Sequence, residues 1–325
     1  MLMRRFLYNA ILLGLMVASS TAAIAVLPDT RSAYLKVLDK TEILAVTPPP
    51  RVILVGGSNL LFSHDSSLLQ KALGRPFVNM GLNAGIGLRF MTEEIKPYLN
   101  PGDIVLVIPE YLQFFESFVN GDQNLWEYLD NHPRKSKLIK SFRQKVTLLK
   151  ELPVFISRKF RRLTAHVDKA TAFGVYYSGR FDITGDMVGI DGPPSPSLSK
   201  LPLFNEGVGP RSFNPEAIDV LNELNDYAAQ KQVRVFLLFP PISQFHYEQN
   251  RKLIDYVYQR LKKELRIPIL SSPQDNTYPL SDFFDTVYHL NSQGKSKRTA
   301  ALLSILRRAL PPPKYPVNSL SGNGF

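Results

Sequence analysis

The sequence predicts an α/β protein: a flavodoxin-like doubly wound parallel sheet of about five strands. A helical and irregular insertion interrupts the sheet pattern, and a transmembrane or signal segment precedes it. Three observations carry this expectation. Short apolar, β-branched runs alternate with amphipathic stretches at 51–109 and again at 214–309. Between them lies a basic stretch followed by one rich in Gly, Pro and Ser. Ahead of them Phe6 to Leu27 holds no charged residue. A β-α-β succession implies parallel strands joined by right-handed crossovers.

The elements follow in order. Arg4 and Arg5 precede the apolar stretch, and about 20 such residues span a bilayer. Two cations ahead of it predict a cytoplasmic amino terminus and an exported globular part. Ala23-Ile24-Ala25 also fits a signal-peptide cleavage site, so anchor and cleaved signal both remain open for residues 1–27. Residues 28–50 read as a stalk ending in Pro48-Pro49-Pro50, a stiff run that marks the start of a domain over 51–310.

Arg51 to Val55 is a buried strand, and Asp65 caps a helix carrying Leu68, Leu69 and Ala72. Phe77 to Met80 is a second strand, Gly81 to Gly87 a glycine-rich turn, and Phe90 to Leu99 a helix. Pro101-Gly102-Asp103 turns the chain into a third strand, Ile104 to Ile108. Residues 112–212 read as an insertion over the carboxyl edge of the sheet. Asn214 and Pro215 start the next helix, Val233 to Phe239 is a strand, and Tyr247 to Leu265 a helix. Ile267 to Leu270 is a fifth strand, Asn291 caps the last helix, and 311–325 is a Pro-rich disordered tail.

Composition narrows the chemistry. The 325 residues, 44% of them hydrophobic, suffice for one large core or two smaller ones. The absence of cysteine excludes disulfides, a thiol nucleophile and cysteine metal sites. Of the charge of +11, much lies in Arg134 to Arg162, where eleven cations meet only Glu151. A solvated helical face accounts for this, as does contact with anionic lipid or an acidic polysaccharide. No nucleic-acid motif is present. No histidine–acid spacing points to a metal, and Gly85-Ile-Gly87 lacks the rest of a phosphate-binding fingerprint, so no cofactor is expected.

The candidate site has two parts. Ser58 follows a glycine turn at the end of the first strand, where open α/β sheets bind ligands. Asp285 and His289 precede the final helix, where the fold can bring them to the serine as orienting carboxylate and base. Asp282 is an alternative carboxylate. His64-Asp65 lies near Ser58 in sequence, but Asp65 serves as a cap and His64 points away.

Val55-Gly-Gly-Ser58-Asn59, Asn79-Met-Gly81-Leu-Asn83-Ala-Gly85 and Asp285-Thr-Val-Tyr-His289, in this order and placement, resemble the SGNH (GDSL-like) hydrolase superfamily. The string Tyr-His-Leu-Asn-x-x-Gly is similar to its membrane-anchored members, which work on cell-envelope polymers alongside membrane-bound O-acyltransferases. The resemblance covers about 51–109 and 214–309. It implies Ser58 as nucleophile, His289 as base, Asp285 as its partner, and an oxyanion hole from the N–H groups of Ser58 and Gly81 with the Asn83 amide. Two features depart from it. Asp285 stands four residues before His289 instead of three, and Pro109-Glu110-Tyr111 replaces the Gly-x-Asn-Asp block, leaving Glu110 and Tyr111 as substrate contacts or Glu110 as a strand-end hydrogen-bond acceptor only. The implied function is an exported serine esterase or O-acyltransferase acting on an O-acylated envelope or secreted polysaccharide. Hydrolysis and transfer differ only in the acceptor that meets the acyl-enzyme. The other reading is a non-catalytic adaptor docking on a membrane O-acyltransferase or polymer-export complex.

Overall fold

The computed structural model describes residues 2–27, 40–164, 180–189 and 191–310. Its centre is a parallel four-stranded sheet: β1 (Val52–Gly56), β2 (Phe77–Asn79), β3 (Ile104–Ile108) and, after the β4–β5 hairpin described below, β6 (Arg234–Leu237), in the order β2-β1-β3-β6. All three pairings are parallel, with Val52 opposite Phe77 and Ile104, and Ile104 opposite Arg234. Strands buried on both faces read as continuous apolar runs, which is why 52–55 and 104–108 show no alternation.

Alternate side chains feed two cores. Ile53, Val55, Val105, Val107, Val235 and Leu237 face one of them. On that side they meet Phe90 and Ile95 of α5 (Leu88–Ile95), Leu221 and Leu224 of α8 (Glu216–Gln230), and Ile254 and Val257 of α9 (Gln244–Glu264). Val52, Leu54, Ile104, Leu106 and Phe236 face the other. There they meet Leu60 of α3 (Asn59–Phe62), Leu69 of α4 (Ser66–Leu73), and Leu302 and Leu306 of α10 (Ser292–Ala309). The α/β sheet covered by helices on both faces follows from this two-sided burial.

The caps act as their residue types require. Asp65 accepts the Leu68 N–H at 2.8 Å, Asn214 the Glu216 N–H at 3.1 Å, and Asn291 the Gly294 N–H at 3.1 Å. The expected fifth strand is reduced to one parallel bridge between Ile269 and Leu237. Pro268 has no N–H to extend a ladder, so only its carbonyl and the Leu270 N–H reach Leu237.

The helix α1 (Leu2–Val26) is apolar and long enough to cross a membrane, or to serve as a signal sequence. Residues 28–39 and the tail 311–325, expected as stalk and disordered segment, lie outside the described residues. The second half of the expected stalk belongs to the domain: α2 (Lys40–Val46) buries Ile43 and Leu44 in the first core. Arg51 holds its far end, donating to the carbonyls of Leu44, Thr47 and Tyr98 while its guanidinium meets Asp103 at 3.4 Å.

The insertion is more regular than its composition suggests. It contains α6 (Gln123–Asn131), α7 (Phe142–Thr164) and a hairpin of β4 (Arg180–Phe181) and β5 (Met187–Val188). The hairpin docks at the carboxyl end of β2. The Asn79 N–H donates to the Thr184 carbonyl at 2.7 Å, and buried Asp186 accepts from Ser66 N, Ser66 Oγ and Asn79 Nδ2, each at 2.7 Å. Lys40 closes this network. Its ammonium donates to the carbonyls of Gly81 at 2.6 Å and Gly185 at 2.7 Å, over the Phe181 ring.

Burial lowers the Lys40 pKa from 10.5 to about 7, with Asp186 opposing the shift. The unfolded chain keeps that proton to about pH 10.5 and the folded chain releases it near 7. Between these values the unfolded state binds more protons, so stability through Lys40 rises as pH increases, by at most about 1.4 kcal/mol per pH unit. Urea titrations at pH 7 and pH 9 should show this gain, and Lys40→Met should remove the part due to this residue. An unchanged pH slope in Lys40→Met would refute the assignment.

Candidate functional site

Crevices in open α/β sheets form where neighbouring connections leave in opposite directions. In this order that point lies between β1 and β3. Gly56 stands opposite Ile108, so two residues further on Ser58 and Glu110 emerge side by side. The approach requires glycine. A Cβ on Gly56 would sit 2.3 Å from the Ile108 carbonyl oxygen, and one on Gly57 2.4 Å from Glu110 Oε1.

Ser58 precedes α3 in helical backbone geometry but its side chain makes no cap bond. Its hydroxyl donates to Glu110 Oε1 at 3.1 Å, and the Asn59 N–H reaches the same oxygen at 3.0 Å. Glu110 is buried, which raises its pKa above the ordinary carboxylate value. The Asn59 N–H, the His289 charge and Ser58 oppose the shift. The Glu110 backbone N–H is held by Gln113 Oε1 at 3.0 Å.

His289 arrives from the opposite end of the sequence. Phe283 and Leu290 form an antiparallel bridge, and the Phe284 N–H donates to the His289 carbonyl at 2.8 Å. The chain between them is a closed loop. Thr286 Oγ1 accepts the N–H of Tyr288 at 3.3 Å and of His289 at 3.2 Å. This turn brings Asp285 Oδ1 within 2.8 Å of His289 Nδ1 despite the four-residue spacing. A carboxylate at Nδ1 fixes the ring proton there and leaves Nε2 as the acceptor. That Nε2 is buried and has no hydrogen-bond partner among the described residues. The ring stacks on Phe62, with centroids 4.1 Å apart. Phe62 lies one helical turn after Ser58, on the same side of α3. Asp282, the alternative carboxylate, is bound to Lys297 Nζ at 2.8 Å.

The other expected residues are placed as follows. The Gly81 N–H donates to Asn79 Oδ1 at 2.8 Å, and Asn83 Oδ1 accepts the Gly85 N–H at 2.8 Å. Of the two N–H groups expected to form an oxyanion hole, those of Ser58 and Gly81, the second is engaged by Asn79, while the Asn83 amide nitrogen makes no bond among the described residues. Tyr111, expected to touch substrate, has a fully buried ring packed against Phe204 and Phe239. Its N–H donates to the hydroxyl of buried Tyr288 at 3.2 Å. His64 bonds Ser63 Oγ at 2.9 Å and faces Asp186 at 3.9 Å, and burial lowers its pKa to about 4.

Sequence reasoning missed the Ser58–Glu110 bond, the Phe62 stack and the roles of Thr286 and Tyr288. One signal for the first was available: Glu110 follows β3 by the same number of residues as Ser58 follows β1. No cluster of three or more His, Asp or Glu side chains suited to a metal ion occurs among the described residues.

No protein-family model matches this chain, and no curated protein sequence matches it significantly.

Proposed function

We propose that the domain is an SGNH-like serine esterase or O-acyltransferase of the exported face, working through an acyl-enzyme on Ser58. One observation carries the reading: His289, oriented by Asp285 and stacked on Phe62 of the helix that Ser58 opens, keeps a buried Nε2 that is unpartnered among the described residues. Burial without a partner is costly for a polar atom, and a base awaiting a hydroxyl proton accounts for it.

In this mechanism the Ser58 hydroxyl turns from Glu110 to His289 Nε2. Oγ attacks an acyl carbonyl as its proton passes to Nε2, and Asp285 stabilises the imidazolium. The tetrahedral oxyanion needs donors. The Asn83 amide and the Ser58 N–H are two, and the Asn59 N–H becomes a third once the Glu110 carboxylate withdraws. The intermediate collapses, and His289 returns the proton to the departing alkoxide. Water or a sugar hydroxyl then takes the acyl group from Ser58. The substrate class is an O-acylated envelope or secreted polysaccharide, with a membrane-bound O-acyltransferase as partner.

A second reading has its own observation. Glu110 accepts the hydroxyl of Ser58 and the N–H of Asn59, the one needed for attack and the other available to an oxyanion. A domain held in that state is a non-catalytic adaptor of a membrane O-acyltransferase or export complex.

Fluorophosphonate labelling separates the two. For the enzyme, Ser58→Ala should abolish labelling and lower turnover of an activated ester by on the order of 10⁴-fold or more, with His289→Ala costing a similar factor. Wild-type protein that does not label, together with a Ser58→Ala strain of normal phenotype, would leave the adaptor.

The carboxylates are distinguished by kinetics. Asp285→Asn should lower kcat by roughly 10³–10⁴-fold through loss of the imidazole orientation. Asp282→Asn should leave kcat near wild type and act on stability through Lys297. Equal losses in the two variants would remove Asp285 from its role.

Topology is tested in spheroplasts. With the amino terminus inside, added protease should digest the domain from the outside. Digestion confined to inside-out vesicles would overturn export.

A further inference from the structure

The basic segment keeps few of its charges on one side of α7. Its inner face buries Gln144, Leu148, Phe155 and Lys159. Lys159 is completely buried, with Nζ 2.8 Å from the Asp130 carboxylate and 2.9 Å from the carbonyl of Ala25, in the last turn of α1. The apolar helix of membrane-spanning length therefore ends against α7.

The outer face is unlike an ordinary solvated helix. Phe142, Leu149 and Phe160 are 78%, 67% and 49% exposed. At about 100° per residue they fall on one line, within about 20° of each other. Lys145 lies on one side of that line, with Lys150 and Arg161 on the other. These three form no ion pair among the described residues, whereas Arg158 and Arg162, nearer the inner face, pair with Glu127. Single exposed apolar residues are common on protein surfaces. A line of three large ones flanked by cations is the pattern of a helix lying in a membrane interface.

We propose that the outer face of α7 is an in-plane membrane contact, with Phe142, Leu149 and Phe160 entering the headgroup–acyl boundary and Lys145, Lys150 and Arg161 binding anionic phospholipid headgroups. The charge on the helix selects lipid over a neutral protein partner, and the contact of Lys159 with Ala25 puts α7 at the end of the helix of membrane-spanning length. The inference is independent of the chemistry at Ser58. α7 lies more than 100 residues after α1, in a long domain whose charges do not set orientation.

The chain has no cysteine, so Leu149→Cys in the full-length protein accepts a single environment-sensitive dye. The protein is reconstituted in nanodiscs of phosphatidylcholine, with or without phosphatidylglycerol, carrying a headgroup-depth nitroxide lipid. The dye should be quenched in the anionic discs and much less in the neutral ones. Replacing Lys145, Lys150 and Arg161 by Ser should lower the contact equilibrium by about 10²-fold, at about fivefold per cation. A dye at Lys231→Cys, also exposed, should stay unquenched. Water-like emission from position 149 in anionic discs overturns the proposal. So does quenching that ignores lipid charge, or equal quenching at position 231. Alkaline carbonate extraction scores α1 separately. If it strips the chain from the bilayer, binding to free vesicles of the same compositions reads the α7 face directly, with the same expected dependence on charge.

Discussion

The crevice depends on how closely the carboxyl ends of β1 and β3 approach. Gly56 lies against the Ile108 carbonyl and Gly57 against the Glu110 carboxylate, so neither position has room for a side chain. Because of that contact, a buried acid can reach the Ser58 hydroxyl and the start of α3 together. A methyl group at Gly57 would have to push Glu110 aside, and the hydroxyl would lose the acceptor that fixes its rotamer. The remaining site residues are placed around this junction: Phe62 through the short helix that Ser58 opens, and His289 through its stack on Phe62.

A second assembly stands behind the junction and ties together three parts of the chain distant in sequence. Lys40 comes from the segment ahead of the sheet, Asn79 and Gly81 from the end of β2, and Asp186 from the insertion. Buried charges are costly unless each is paired and bonded. Here a single lysine faces two carbonyls and lies near Asp186, whose carboxylate takes three further donors. Such a group works as a keystone: removing any one partner leaves another buried without its complement. The loop bearing Gly81 is thereby held at its carbonyl by Lys40 and at its N–H by Asn79.

The parts of this fold legible in sequence were those set by local rules. Continuous β-branched runs marked β1 and β3, and Asp65, Asn214 and Asn291 marked helix starts, because burial on two faces and capping depend on neighbouring residues alone. The fifth strand failed at Pro268, where a missing N–H outweighed the apolar run. The stalk reading failed at Lys40–Val46, since a short apolar helix does not reveal which surface it will cover. At the site, Ser58, Asp285 and His289 were legible as residue types at particular element ends. The contact between Asp285 and His289 was expected as well; what a spacing count did not show was the Phe283–Leu290 bridge, which closes the loop and permits that contact across four residues. Glu110 does accept hydrogen bonds at a strand end, one of its two expected roles, but its partner Ser58, 52 residues earlier, was not legible. The register that joins them is a property of the sheet.

The chain contains one tryptophan. Trp126 sits on α6 with its ring stacked on Phe155 and its indole N–H donating to the Leu148 carbonyl at 2.6 Å, both partners belonging to the inner face of α7. Indole emission responds to exactly such contacts: solvent reaching the ring shifts it to longer wavelength. With no second indole to dilute the signal, the native fluorescence of the whole protein is a gauge of one helix–helix joint. Any event that lifts or tilts the basic helix on its seat will register there without a label, while rearrangements confined to the serine crevice will pass silently.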